Sequence, residues 1–258
     1  MTLNAPLNRA PRTHFTPVLV GNRRQRIASL DFELPQQLEA SEPPEARGLA
    51  RDEVRLMVSH LSDDRIEHAR FRDIGDFLEP GDVLVINTSG TMNAALKAKR
   101  KDGRALELHL STQLPGDLWV VELRDPSPGG SRPFGQGRAG ETLRLPAGAA
   151  ATLLTPYQAA QRQREEGPVR LWLATLAVPC PVLSFLAEFG FPIRYSYVKR
   201  AWPSEYYQTV YATEMGSAEM PSAGRAFTPE LMTRLVARGV QVAPLLLHTG
   251  VASLEDNI

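Results

Sequence analysis

The sequence predicts an α/β protein interrupted by a stretch of short antiparallel strands. Three observations carry this. A loop, a helix, a tight turn and a strand follow one another from Glu219 to Leu254. Two apolar runs of strand length, Val83–Ile86 and Val240–Leu247, each end in polar residues. In open α/β sheets and barrels alike, such carboxyl ends are where ligands bind. Between the two runs, from Lys97 to Leu176, short strand-like segments alternate with Gly/Pro turns, the texture of a small barrel or sandwich.

The chain of 258 residues is long enough for one or two domains, and 43% hydrophobic with 22% charged residues is an ordinary globular composition. No apolar run approaches the length of a membrane span, and no signal peptide opens the sequence, so a cytoplasmic protein without membrane contact is expected. The single cysteine, Cys180, sits between Pro179 and Pro181 and fits a structural role in a reducing compartment. Net charge is zero, from 29 basic and 29 acidic residues, which argues against a broadly basic nucleic-acid grip and leaves only local patches. The candidates are Arg23, Arg24 and Arg26, then Arg194, Lys199 and Arg200.

In chain order, Met1 to Ala28 has little periodicity and reads as a flexible extension. Arg55–Val58 is a first strand, and Pro80-Gly81 turns the chain into Val83–Ile86, expected as a buried strand ending in a polar loop at Asn87–Gly90. Ala105–Leu110, Leu118–Leu123, Thr142–Leu145, Ala151–Leu154 and Val169–Leu173 are the strands of the middle segment. Pro126–Gly140 is expected as a long loop, Gln158–Gly167 as a hairpin connection and Val182–Phe189 as a short amphipathic helix.

The last segment is the most explicit. Thr228 suits an N-cap, Pro229 the first helical position and Glu230 the positive end of the helix dipole. Leu231, Met232, Leu235 and Val236 recur at helical spacing and predict one buried face. Gly239 fits a left-handed cap, after which Val240–Leu247 reads as a strand buried in a covered sheet and delivers His248 to its end.

These segments resemble the S-adenosylmethionine:tRNA ribosyltransferase-isomerases of queuosine synthesis. That family reads A-P-T-A-G-L-H-F-T-P-E-L, a helix, then a strand ending L-H-V-G. Here stand Met220-Pro221-Ser222-Ala223-Gly224-Arg225-Ala226-Phe227-Thr228-Pro229-Glu230-Leu231 and later Leu247-His248-Thr249-Gly250. Glu205–Ala212 is close to the family's E-R-Y-Q-T-V-Y-A, and Leu30–Pro35 to its opening. The resemblance implies a barrel-like α/β main domain with an inserted small antiparallel β-barrel domain. It divides the chain into 1–28 (extension), 29–96 and 177–258 (main domain, in two parts) and 97–176 (insert). Related enzymes continue past the equivalent of Ile258, so the main domain is expected to be incomplete here, with exposed sheet edge and apolar surface.

The implied reaction moves the ribosyl part of S-adenosylmethionine to the aminomethyl group of a 7-deazaguanine in tRNA. Epoxyqueuosine-tRNA results, with release of adenine and methionine. S-adenosylmethionine is then a substrate, and no cofactor or metal is expected. The partners are S-adenosylmethionine and the tRNA anticodon loop, and a monomer is expected. The chemistry requires an aromatic cradle for a sulfonium, hydrogen bonds to adenine, a base near the 5′ carbon and an acid for the departing adenine.

His248 is the catalytic candidate, because imidazole titrates near neutrality; the competing role is a structural hydrogen bond to a loop. The substrate-binding candidates are Asn87, Tyr207, Gln208, Thr209, Ser222, Ala223, Gly224 and Phe227. Asn87 either reads a nucleoside edge or closes an Asx turn. Tyr207 to Thr209 offer a ring, an amide and a hydroxyl, or plain packing. Ser222 to Gly224 either hold an anion with backbone N–H groups or form a capping loop. His68 and His109 are expected at the surface or in packing.

The sequence departs from the family at Thr88-Ser89-Gly90, at Asn93 and Ala95, at Ala226 and at Val251–Leu254. Two guanidiniums are lost there. These changes leave two alternatives: a non-catalytic paralogue that binds S-adenosylmethionine or RNA, and a family transferase with a different acceptor.

Overall fold

The computed structural model describes Pro35, Leu38 and residues 40–127, 130–157, 169–194, 198 and 200–251. The expected extension 1–28, the opening at Leu30–Leu34, the connection 158–167, Lys199 and residues 252–254 lie outside the described residues.

Among the described residues, 3-10 turns at Pro44–Arg47 and Arg51–Glu53 lead into an antiparallel hairpin, β1 (Arg55–Ser59) and β2 (Ile66–Arg70), followed by a 3-10 segment at Phe71–Phe77. His68 lies exposed on β2, as expected. Next come β3 (Val83–Asn87) and β4 (Ser89–Thr91). The strands of the middle segment are β5 (Ala95–Lys99), β6 (Ala105–Leu114), β7 (Leu118–Ser127), β8 (Gly130–Pro133), β9 (Thr142–Arg144), β10 (Ala150–Pro156) and β11 (Leu171–Ala177). Helix α1 (Val182–Phe189), β12 (Glu214–Ser217), helix α2 (Pro229–Ala237) and β13 (Gln241–Leu245) complete the described elements.

The expected small antiparallel barrel is present. Its hydrogen-bonded order is β11-β10-β9-β5-β6-β7, and β11 pairs back onto β7, so the six strands close. Closure removes the two edges the six strands would otherwise leave, and β8, paired only with β7, is the edge that remains among the described residues. The alternation along β6 sends Leu106, Leu108 and Leu110 inward, where they meet Leu96, Val121, Leu123, Leu143 and Leu153, all buried. Helix α1 has the bounds expected from sequence and lays Phe185 and Leu186 on this core.

Two expectations about the barrel change. Its first strand, β5, was not foreseen, because Ala-Leu-Lys-Ala-Lys has little strand propensity and pairing with β6 overrides it. Part of the expected loop Pro126–Gly140 is strand β8, which hydrogen-bonds to the far half of β7. The outer face of β6 and β7 is also buried, and it is polar. Glu122 is 0% exposed and accepts from Arg124 Nη1 at 3.2 Å and Arg170 Nε at 2.7 Å. His109, buried mid-strand, lies 3.1 Å from Glu107. Burial raises the Glu107 pKa, but the hydrogen bond and charge of His109, the hydrogen bond of Ser131 and the charge of Arg124 together outweigh it and hold the carboxyl below its ordinary value.

Outside the barrel, β3 pairs with β13 and β4 with β12, both in parallel. The strands expected to be buried are only half covered: Val83, Val85, Leu245, Leu246 and Leu247 are exposed. The polar loop expected at Asn87–Gly90 is instead the start of β4, because Gly90 and Ser89 pair with Met215 and Glu214.

Helix α2 forms as its sequence dictates. The Leu231 N–H donates to Thr228 Oγ1 at 3.1 Å, Pro229 stands in the first turn, and Gly239 adopts φ 89°. Leu231, Leu235, Phe227 and Val240 form a second buried cluster against Phe71, Ile74 and Leu84. Val236, expected on the same face, is 56% exposed. The reason is that α2 rests on the narrow 3-10 segment, where Gly75 lets Leu235 and Arg238 approach closely, and not on a broad sheet. Replacing Leu231 with Ala should therefore cost about 2–5 kcal/mol in urea denaturation. Val236→Ala should stay within about 0.5 kcal/mol. Equal losses would mean that the helix buries a wider face.

Candidate functional site

The parallel pair β3–β13 brings two strand ends side by side, and Asn87 fastens them. Its Nδ2 donates to Leu247 O at 2.8 Å, while its Oδ1 accepts from Leu247 N at 3.0 Å and Ser89 N at 3.1 Å. Asn87 therefore closes the Asx turn and clips the residue before His248. Its amide is engaged with backbone through both Nδ2 and Oδ1.

His248 emerges next, exposed, with its ring lying over Gly216. A Cβ at position 216 would overlap the ring, so only glycine fits there. The His248 Nδ1 is 2.7 Å from Ser89 Oγ, which is 2.6 Å from Ser217 Oγ, and both serines are buried. Ser217 Oγ also accepts from the Thr249 N–H at 3.0 Å.

The direction of this chain follows from counting protons. Ser217 already accepts from Thr249, so its own O–H finds a partner among the described residues only by donating to Ser89. Ser89 then donates to His248 Nδ1, and the ring proton sits on Nε2. The reverse direction leaves a buried hydroxyl proton unpaired, at a cost of about 1–3 kcal/mol. For the uncharged ring, the serine pair thus selects the Nε2–H tautomer, with Nδ1 as acceptor and Nε2–H as the outward donor.

The other candidates separate into three groups. Tyr207 and Ser222 line a cavity of about 590 Å³, together with Glu42, Thr91, Pro192, Ile193, Arg194, Trp202, Tyr206, Glu219, Met220 and Arg225 among others. Gln208 is a backbone brace: its Oε1 accepts from Thr91 N at 2.9 Å and its Nε2 donates to Thr91 O at 2.7 Å. Thr209 is buried, and Gly224 packs so tightly on Thr209 and the Tyr211 hydroxyl that a Cβ would clash. Phe227 belongs to the second core, edge-on to Phe71 at 4.9 Å. Ala223 is exposed and does not line the cavity. The turn Ser222–Gly224 spends the N–H groups of Gly224 and Arg225 on Pro221 O and Ser222 O, which favours the capping role.

His248 is not on the cavity wall, but Thr91 is. Ser89, its relay partner, lies two residues back on β4, on the same face and about 7 Å away. Strand β4 therefore links the two, holding His248 through Ser89 and lining the cavity with Thr91.

Sequence reasoning missed Ser89 and Ser217, which serve only through their pairing across β4 and β12. It also missed Arg225, Glu45 and Arg51. Arg225 donates Nη2 to both Glu45 oxygens at 2.9 Å and Nε to Tyr206 O at 2.7 Å. Arg51 lies 3.6 Å from the same carboxylate. Burial first, then the charge of Arg225, hold the Arg51 pKa below its ordinary value, and Glu45 offsets part of this. The one advance signal was Arg225 standing where the family segment has leucine. Arg200 stacks on Trp202 at 4.0 Å, so that expected basic cluster is partly a ring contact.

Removing Ser217 tests the relay. In Ser217→Ala the Ser89 hydroxyl is free to turn, and the preference for the Nε2–H tautomer should fall by about 1 kcal/mol, roughly fivefold in the tautomer ratio. Ring-nitrogen NMR shifts of His248 should move toward each other. Unchanged shifts would show that the serines do not set the tautomer.

The chain matches the family model described as queuosine biosynthesis protein over residues 27–257. It is 36% identical over 232 residues to the S-adenosylmethionine:tRNA ribosyltransferase-isomerase of Thermotoga maritima, covering 89% of this chain and 62% of that protein. The enzyme of the same name from Symbiobacterium thermophilum is 36% identical over 234 residues, with the same coverage. The one from Thermus thermophilus is 35% identical over 233 residues, covering 87% of this chain and 61% of that protein. A crystal structure of S-adenosylmethionine tRNA ribosyltransferase from Thermotoga maritima aligns at 29% identity and a TM-score of 0.32, covering 86% of this chain and 59% of that one. This chain spans about 62% of the length of the curated relatives it matches.

Proposed function

The chain belongs to the queuosine biosynthesis protein family, and from that premise we propose that it acts on S-adenosylmethionine and tRNA. The reaction is transfer and isomerisation of the ribosyl group onto the aminomethyl-deazaguanine base, with release of adenine and methionine. The observation that carries this reading is a small-molecule cavity lined by Thr91 on β4, the strand whose Ser89 holds His248. Cavities of this size, with apolar walls and few polar groups, suit a nucleoside-sized ligand. Trp202, Tyr206 and Tyr207 supply aromatic faces for a sulfonium cation. The relay-held His248 Nε2–H suits the hydrogen bond to adenine as it departs with negative charge building on its ring. Glu42 is the carboxylate on the cavity wall placed to take a proton from the 5′ carbon.

The same premise supports the division into a main domain, 29–96 and 177–258, and an insert, 97–176. We read β3, β13, β4, β12 and α2 as part of a barrel-like α/β main domain, because parallel pairing with an intervening helix is its repeating unit. A cytoplasmic monomer is the setting that goes with a tRNA-modifying enzyme.

Free adenine is the readout that tests the reaction. The purified chain, incubated with S-adenosylmethionine and tRNA carrying the aminomethyl-deazaguanine, should release adenine measurable by chromatography. His248→Gln should lower the rate by about 10²–10⁴-fold while S-adenosylmethionine still binds. Binding without adenine would select the non-catalytic paralogue. Adenine released with small amines but not with tRNA would select a changed acceptor.

A further inference from the structure

The cavity wall carries an electrostatic imbalance that the reaction above does not use. Arg225 is 9% exposed, and three of its five N–H groups are spent on Tyr206 O and the Glu45 carboxylate. Its Nη1 is buried and has no hydrogen-bond partner among the described residues. Glu45 is also shared with Arg51, so two guanidiniums face one carboxylate. Guanidinium does not shed its proton in proteins, so the surplus positive charge stays. A buried charge without its full set of acceptors is costly unless an anion completes it.

The opposite sign is present on the same wall. Glu219, half-buried, and Glu42, more exposed, line the cavity with Arg225. A polyanion such as an RNA backbone gains nothing from these carboxylates. A zwitterion does, because its carboxylate and ammonium answer both charges. The aromatic side chains Trp202, Tyr206 and Tyr207 then face whatever apolar or heterocyclic body the zwitterion carries.

We propose that this cavity seats the α-amino-acid end of the sulfonium donor, with the carboxylate on Arg225 and the ammonium on Glu219. The assignment rests on the donor being S-adenosylmethionine, and it adds which residues read that donor's amino-acid end. Arg225 keeps the two N–H groups of Nη1 for a carboxylate, and Glu45 and Tyr206 hold the guanidinium in place. The ligand class is therefore an amino acid linked to an aromatic base, and a nucleoside lacking that end loses the charged contacts.

Titration calorimetry on the purified chain tests this with four ligands: S-adenosylmethionine, its decarboxylated analogue, its deaminated analogue and 5′-methylthioadenosine. The wild type should prefer S-adenosylmethionine over the decarboxylated analogue by tenfold or more, on the order of one charge-assisted contact. Arg225→Leu should erase that preference and leave methylthioadenosine within about threefold, since the ring contacts remain. The comparison is made between ligands on one protein, so a reduced folded fraction does not alter it. Glu219→Gln gives a second test: it should weaken S-adenosylmethionine about tenfold and spare the deaminated analogue. Equal weakening of every ligand in either variant, or a preference untouched by Arg225→Leu, would overturn the assignment while leaving the donor intact. If the wild type binds no S-adenosylmethionine, the reading of the donor itself falls, and this assignment with it.

Discussion

The geometry of the site depends on one side-chain amide. Parallel strands touch only through slanted backbone bonds, and two-stranded parallel pairs are weak on their own. Asn87 adds three hydrogen bonds at the point where β3 hands over to β4. In doing so it fixes the backbone of Leu247, and so the origin of the His248 side chain. It also fixes Ser89, the residue that His248 touches. An amide that donates and accepts at once is the one side chain able to clip a strand at both its N–H and its C=O.

The rigidity on which this clip rests comes from both sides. On one side, β4 is braced by Gln208, whose amide pairs with Thr91 as another strand would, and by the Thr91 hydroxyl donating to Tyr207 O. On the other, the residues after His248 are tied to the barrel, where Val251 N donates to the Ser111 hydroxyl at 2.7 Å. Gly250 permits that approach, since a Cβ there would meet Ser111 and Thr112. The barrel therefore does more than hold its own core together. Its closed, leucine-filled interior makes β6 a stiff surface, and that surface anchors the far end of the histidine segment.

Legibility in the sequence followed the range of the interaction. Helix α2 was readable to its caps, because Thr228, Pro229 and Gly239 act within one turn of their neighbours. Most barrel strands were readable from alternation and turns, whereas β5 and β8 formed through pairing partners far away in sequence. His248 was readable as a strand-end histidine through its family segment. Its tautomer was not, since Ser89 and Ser217 lie 128 residues apart and each looks like an ordinary polar strand residue. Gln208, Thr209, Gly224 and Phe227, offered as substrate contacts, stand in bracing or buried positions. Motif matching detects that such residues matter without showing whether they touch a ligand or hold what does.

The charges around the cavity sharpen that distinction. Glu45 answers the buried Arg225, and Arg51 is held close to the same carboxylate while its Nη1 donates to Gln208 O at 3.3 Å. The Arg51 pKa is pulled down chiefly by burial and then by Arg225. A fold gains little stability from placing a buried and a half-buried cation beside one anion. It gains a preformed positive pole at a cavity wall, paid for in stability and recovered when a ligand carboxylate arrives. The His248 relay shows the same economy at the Ser89 end of β4, where two buried serines fix a single proton. The two devices together define a site with one end for charge recognition and the other for hydrogen-bond donation.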